Sequence, residues 1–91
     1  MKNNTVISVD AEVDGLHGRA FAIAFTVRKD GKEVYQWSGR CPDSFVTDGW
    51  VAENVLPSLA DMPVDHANPD ELENNFFRMW SGAMTSFTED D

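Results

Sequence analysis

One segment, residues 20–28, constrains the fold of this chain more than any other part of the sequence. Its side chains alternate between large and small along the whole segment. The large members are Phe21, Ile23, Phe25 and Val27, and the small members are Ala20, Ala22, Ala24 and Thr26. A period of two predicts a β-strand, because successive side chains of a strand point to opposite faces. The pattern also predicts that both faces of this strand are covered.

Two more strands are predicted beside this one. The dipeptide Asp30-Gly31 favours a two-residue hairpin turn, since glycine tolerates the positive φ that such a turn requires. Residues 33–38 then return as the next strand. Residues 5–9 are mostly β-branched and apolar, which predicts a buried central strand. Residues 1–40 are therefore expected to form a three-stranded antiparallel meander.

Two helices are predicted in residues 41–91. The first covers residues 50–59, with its N-cap at position 47 or 48, and at Pro57 it is expected to end early, to kink or to begin a new turn. The second begins at Asn68, a favoured N-cap that is followed by a proline and then by a glutamate able to complete a capping box. Gly82 is expected to end this helix, and the last eight residues are expected to form a short strand or a frayed tail.

The whole chain is expected to be one α+β domain, residues 1–91, because 91 residues leave no room for a second core. Its fold is predicted to be a three-stranded antiparallel meander followed by two helices. The hydrophobic content of 42% is that of a globular protein. The large aromatic side chains are expected to pack in the core rather than to stack on nucleic-acid bases: Trp37, Trp50, Phe76, Phe77 and Trp80.

Charge divides the chain into two unequal halves. The formal net charge is −9. Residues 1–40 carry six bases and five acids, whereas residues 41–91 carry eleven acids and a single base, Arg78. Such an acidic half repels a phosphate backbone and attracts basic surfaces.

The acidic half therefore predicts a partner-binding face. The acids assigned to this face are Asp61, Asp65, Asp70, Glu71, Glu73, Glu89, Asp90 and Asp91. The alternative is that these acids only keep a small protein soluble.

A second candidate site lies where the first predicted strand ends. Asp10 and Glu12 are two residues apart, so their carboxylates point to the same side of a strand. Paired carboxylates can hold one or two divalent cations, as two-metal phosphodiester hydrolysis requires. The alternative is that they are solvated acids beside a turn at Asp14-Gly15.

The surroundings of this pair resemble the first motif of the DEDD superfamily of 3′–5′ exonucleases, which have a ribonuclease H-like fold. The matching residues follow an apolar strand: Asp10, Glu12, Gly15 and Leu16, then Arg19, Ile23, Ala24 and the turn at 29–32. The resemblance covers residues 4–40. It implies that Asp10 and Glu12 are catalytic carboxylates that bind Mg²⁺ or Mn²⁺, and that the three strands are the antiparallel part of a mixed sheet.

The later motifs of the superfamily are missing from this chain. The family completes its site with a second-motif Asp and with a third motif that supplies a His or Tyr and a final Asp. His66 and Asp70 are similar to that third motif, but their spacing is one residue short and no second motif precedes them. The capped helix start at Asn68 explains these residues better.

Three functional hypotheses follow. The first is a truncated exonuclease-like domain with a partial metal site, which needs further ligands from a partner chain or a dimer and then acts on nucleic acid. The second is a small acidic inhibitor, such as a phage anti-CRISPR protein, that docks on a basic nucleic-acid-binding protein by charge mimicry. The third is an acidic fragment without activity of its own.

Location is predicted from what the sequence contains. No apolar stretch approaches the roughly 20 residues that a membrane-spanning helix needs. The single Cys41 excludes an internal disulfide and is typical of a reducing compartment. We expect a cytoplasmic protein without a membrane partner.

Overall fold

A computed structural model describes residues 4–88 as a three-stranded sheet with helices, which confirms the predicted α+β class. The strands are β1 (Thr5–Val13), β2 (Ala20–Lys29) and β3 (Lys32–Arg40). They are antiparallel and lie in the order β1-β2-β3. Two α-helices follow, α1 (Gly49–Asn54) and α2 (Pro69–Thr88), with short 3-10 helices at Asp43–Phe45 and Leu56–Leu59. No helix within residues 4–88 is long and apolar enough to cross a bilayer.

The central strand is β2, so the prediction that residues 5–9 form a central strand is wrong. β1 pairs with β2 alone, from Thr5 opposite Lys29 to Val13 opposite Ala20. The central place goes to β2 because it is the middle strand of the meander and pairs with both of the others. The valines of β1 are less covered, and Val9 is 45% exposed. β1 is therefore an edge strand, and it extends past the predicted end to include Asp10 and Glu12.

The hairpin turn is confirmed. Asp30 has φ 52° and Gly31 has φ 83°, the two positive values of a two-residue turn that matches the twist of its strands. The side chain of Asp30 also accepts a hydrogen bond from the backbone N–H of Asn4 at 3.1 Å. The turn at one end of the sheet is therefore tied to the start of β1.

The large face of β2 packs against α2. Phe25 is almost fully buried at the centre of this interface. Four aromatic rings lie with their centroids 5.8–6.1 Å from it: those of Tyr35, Trp37, Phe76 and Trp80. Offset and edge-on ring contacts at this distance stabilise a core beyond the area they bury. The core positions predicted for Trp37, Phe76 and Trp80 are confirmed.

The small face of β2 is covered at one end only. Ala22 is buried, and Leu59 and Met62 lie against this end of the face. Ala24 and Thr26, farther along the strand, are partly accessible, and the neighbouring strands present exposed serines there. The prediction that β2 is covered on both faces holds near Ala22 and is wrong for the rest of the strand.

The start of α2 is as predicted, and its end is not. Asn68 accepts a hydrogen bond from the N–H of Glu71 at 2.8 Å, and the carboxylate of Glu71 accepts one from the N–H of Ala67 at 2.6 Å. The helix continues through Gly82 to Thr88, so the predicted stop and the predicted strand or frayed tail are wrong for residues 84–88. Tertiary contacts outweigh the poor helix propensity of glycine, because Ala83 is buried against β2 and Phe87 stacks on Tyr35.

The other helix is short. Asp48 caps α1 by accepting a hydrogen bond from the N–H of Val51 at 3.0 Å, as predicted for position 48. The helix ends at Asn54, and the next residues form the 3-10 helix that contains Pro57. The predicted early end is confirmed, because a proline ring disfavours continuing an α-helix through it.

Arg40 joins the sheet to the segment that follows it. This arginine is buried, and its guanidinium donates hydrogen bonds to the carbonyl oxygens of Leu59 and Met62 and to the carboxylate of Asp43. Its backbone N–H donates to the carboxylate of Asp65, and its carbonyl accepts from the N–H groups of Asp65 and His66. One residue therefore fixes the path of the chain between β3 and α2.

We expect Arg40→Lys to lower the free energy of unfolding by about 2–3 kcal/mol, because an ammonium group cannot reproduce the planar fork that reaches two carbonyls and a carboxylate. Urea denaturation measures this change. Arg28→Lys is the matched control, since Arg28 is exposed on β2, and it should stay within about 0.5 kcal/mol of the wild type. Equal effects of the two substitutions would contradict this role of Arg40.

Candidate functional site

The predicted metal pair lies on β1. Asp10 is opposite Ala24 and Glu12 is opposite Ala22, so both carboxylates are on the small face of the sheet. They line a shallow groove there together with Leu59 and Met62. The predicted alignment of the two carboxylates is therefore found within a strand rather than beyond its end.

The pair is not joined by further metal ligands of the described part of the chain. No group of three or more His, Cys, Asp or Glu residues suited to a metal ion occurs within residues 4–88. Two carboxylates are the part of a Mg²⁺ site that a protein usually supplies when phosphate oxygens and water complete the coordination. Asp10 and Glu12 therefore have no third ligand of this kind in the described part of the chain, and a metal-binding role for them stays a prediction.

Asp14, the acid of the turn that follows β1, has a structural role. Its carboxylate accepts hydrogen bonds from the backbone N–H groups of Thr47 and Asp48 and from the hydroxyl of Thr47, at 2.7–2.9 Å. These bonds, chiefly the one from the Asp48 N–H, hold the pKa of Asp14 below its ordinary value. Asp14 therefore attaches the turn after β1 to the start of α1.

Several acids of the predicted partner-binding face have partners within the chain. Asp65 accepts hydrogen bonds from Arg40 and His66, and Glu71 caps α2. Asp70 and Glu73 both form ion pairs with Arg19, at 2.6 and 3.0 Å. Asp61 is exposed and makes no hydrogen bond or ion pair within residues 4–88. The predicted residues Glu89, Asp90 and Asp91 lie outside the described residues.

His66 is a packing residue of the core. It is buried, its Nδ1 lies 2.7 Å from the carboxylate of Asp65, and its ring meets that of Trp37 edge-on at 5.7 Å. Gly39 lies beneath it, and a Cβ there would come within 2.7 Å of both the imidazole and Leu72. The imidazole thus fills space that the absence of a side chain at Gly39 leaves open.

The two ends of the sheet carry different balances of charge. The hairpin end holds three bases and two acids: Arg28, Lys29, Lys32, Asp30 and Glu33. The opposite end holds most of the acids, and its two arginines are already paired, Arg19 with α2 and Arg40 with Asp43. We call this opposite end, formed by residues 10–19 and 40–73, the acidic end.

The predicted core position of Phe77 is wrong, because it is 61% exposed on α2. The predicted core position of Trp50 is also wrong: Trp50 is 67% exposed, and Leu16 near it is 92% exposed. Both Trp50 and Leu16 line a groove of about 510 Å³ between β1 and α1, together with Asp48. The reason is that α1 has only six residues instead of the ten predicted for residues 50–59, too few to bury apolar side chains around its whole circumference.

None of the family models, curated proteins and solved structures compared with this chain matches it. The exonuclease origin therefore stays a prediction that rests on the motif in residues 4–40.

We expect the stability contributed by Asp14 to be present at neutral pH and to be lost as the pH falls below about 4. The sign follows from the lowered pKa, because the folded protein then binds the Asp14 proton less readily than the unfolded chain. The urea midpoint of the wild type should therefore fall more steeply in acid than that of Asp14→Asn. Asp61→Asn is the control and should follow the wild type; parallel curves for wild type and Asp14→Asn would show that the hydrogen bonds of Asp14 do not affect stability.

Proposed function

We propose that the protein is a small acidic binding module whose acidic end docks on a basic surface of a nucleic-acid-binding protein. The observation that carries this proposal is the set of acids at that end without partners in residues 4–88. They are Asp10, Glu12, Glu53 and Asp61. Unpaired acids on one end of a small protein create a negative potential that attracts a basic surface.

The arginines of the acidic end support the same proposal. Arg19 lies between Asp70 and Glu73, and Arg40 is buried against Asp43. Neither is left to neutralise the four unpaired acids. A partner would supply the missing positive charges, and a groove that normally holds nucleic acid already carries them.

The mode of action that fits such docking is charge mimicry. Carboxylates can occupy the places that phosphates take on the lysines and arginines of a nucleic-acid groove, and they exclude the nucleic acid by repulsion. An inhibitor of the anti-CRISPR kind acts in this class. The protein itself is expected not to bind DNA or RNA directly.

The test uses the immobilised full-length protein with nuclease-treated cell extract, followed by purification of the captured partner. We expect a complex that weakens steeply with salt and that duplex DNA or RNA competes away. The variant Asp10→Asn/Glu12→Gln/Glu53→Gln/Asp61→Asn should weaken the purified complex about tenfold or more. The matched control is Asp30→Asn/Glu33→Gln, which removes two acids from the hairpin end and should have little effect. Binding that is insensitive both to salt and to the quadruple substitution would refute the proposal.

A second proposal keeps the exonuclease motif. Asp10 and Glu12 share one face of β1, the arrangement that a divalent ion and a phosphate oxygen require. In this proposal a partner chain or a second copy supplies the remaining ligands, and the complex trims nucleic-acid ends with Mg²⁺ or Mn²⁺.

We expect Mn²⁺ to raise the thermal unfolding midpoint of the wild type, because an ion that binds only the folded state stabilises it. Asp10→Ala should abolish both this shift and any trimming of DNA or RNA ends, whereas Asp61→Ala should retain both. The absence of a shift at millimolar Mn²⁺, together with the absence of trimming both by the protein alone and by its captured complex, would exclude the metal pair.

A further inference from the structure

The groove beside Trp50 borders the last residues of β1. Three consecutive residues of the strand line it, Ala11, Glu12 and Val13, and so do Gly15 and Leu16 just beyond the strand's end. One edge of β1 pairs with β2 and no described strand pairs with the other, so the groove adjoins a strand whose outer edge is open.

This outer edge is available for pairing. Along residues 7–13, β1 forms strand hydrogen bonds with β2 and with no other described strand. Every second N–H and C=O of an edge strand points outward, which makes the edge a template for an added strand. An extended peptide can therefore continue the sheet at this point.

The groove also offers a place for an apolar side chain. Leu16 and Trp50 expose 92% and 67% of their surface, and the groove of about 510 Å³ lies within the size range of ligand pockets. An exposed apolar patch of this kind on a small protein is typical of an interaction site, and tryptophan is the side chain most enriched in binding hot spots.

The charges around the groove select the occupant. Glu12 and Asp48 are among its lining residues, and no Lys, Arg or His is. Glu53 lies three residues after Trp50 on α1, where residues at this spacing are neighbours on the helix surface. A basic segment is attracted here, whereas the β1 edge of a second copy would bring further carboxylates next to these ones.

We propose that an extended basic segment of the partner pairs with the outer edge of β1 as a fourth strand and places one bulky apolar side chain between Leu16 and Trp50. This inference rests on the basic partner of the proposed function and specifies how that partner is held. Main-chain hydrogen bonds supply the register, the anchor side chain supplies most of the affinity, and the flanking Lys and Arg residues meet the carboxylates.

A displayed library of random twelve-residue peptides, selected on the full-length protein, tests the inference. The enriched peptides should share one large apolar residue with Lys or Arg close to it. A synthetic copy of an enriched peptide should bind Trp50→Ala at least about tenfold more weakly than the wild type. Phe77→Ala is the matched control, because Phe77 is 61% exposed on α2, and it should change affinity by less than about twofold. Bound peptide should also slow amide hydrogen exchange within residues 7–13.

The outcomes separate this inference from the broader proposal. Peptides that bind wild type and Trp50→Ala equally, or that slow exchange on α2 and not on β1, overturn the groove inference. If the variant with all four acids substituted still binds these peptides more weakly than the wild type, the proposal that the acidic end docks on a basic partner stands without the groove inference. A selection that yields no binding peptide also overturns the groove inference, and the salt dependence of the captured complex then decides the broader proposal alone.

Discussion

The buried guanidinium of Arg40 is the interaction on which the rest of the structure depends. It holds the carbonyls of Leu59 and Met62 over the small face of the sheet, while its backbone holds Asp65 and His66 at the edge of β3. These hydrogen bonds offset part of the cost of burying the charge, while the Nε of Arg40 has no partner within the described residues, and they tie the chain between β3 and α2 to this path. Along this path α1 lies beside the end of β1, and α2 begins against the other face of the sheet. The acids of the chain between β3 and α2 therefore lie around one end of the sheet.

Much of the fold could be predicted, because local chemistry determined it. The alternation in residues 20–28, the Asp30-Gly31 turn and the Asn68 cap each depend on neighbours in sequence, and each formed as expected. The errors lie where distant contacts decide. Gly82 ends a helix by propensity, but its neighbour Ala83 is buried against β2, and the helix continues. The place of β1 at the edge follows from the meander, in which only the middle strand has two neighbours, so the apolar composition of residues 5–9 was a misleading signal for a central strand.

The candidate sites divide in the same way. The shared side of Asp10 and Glu12 follows from the period of a strand and could be predicted. The partners of the acids could not be predicted, because they are distant in sequence. Asp14 accepts a hydrogen bond from Thr47, and Asp70 forms an ion pair with Arg19, each across more than thirty residues of chain. Counting acids therefore overstated the charge that faces outward. The groove between Leu16 and Trp50 could not be predicted from the sequence either, since it forms only when α1 lies against the end of β1.

The separation of charge along the chain has a kinetic consequence. The molecule measures 49 × 23 × 22 Å, and the unpaired acids Asp10, Glu12, Glu53 and Asp61 lie toward one of its ends, so its negative potential is uneven along its length. In the field of a positively charged macromolecule such a particle experiences a torque as well as an attraction, and it turns its acidic end forward before contact. Orientation normally limits the association rates of proteins, and this preorientation relaxes that limit. If the acidic end docks as proposed, the same asymmetry also shortens the search for the basic surface.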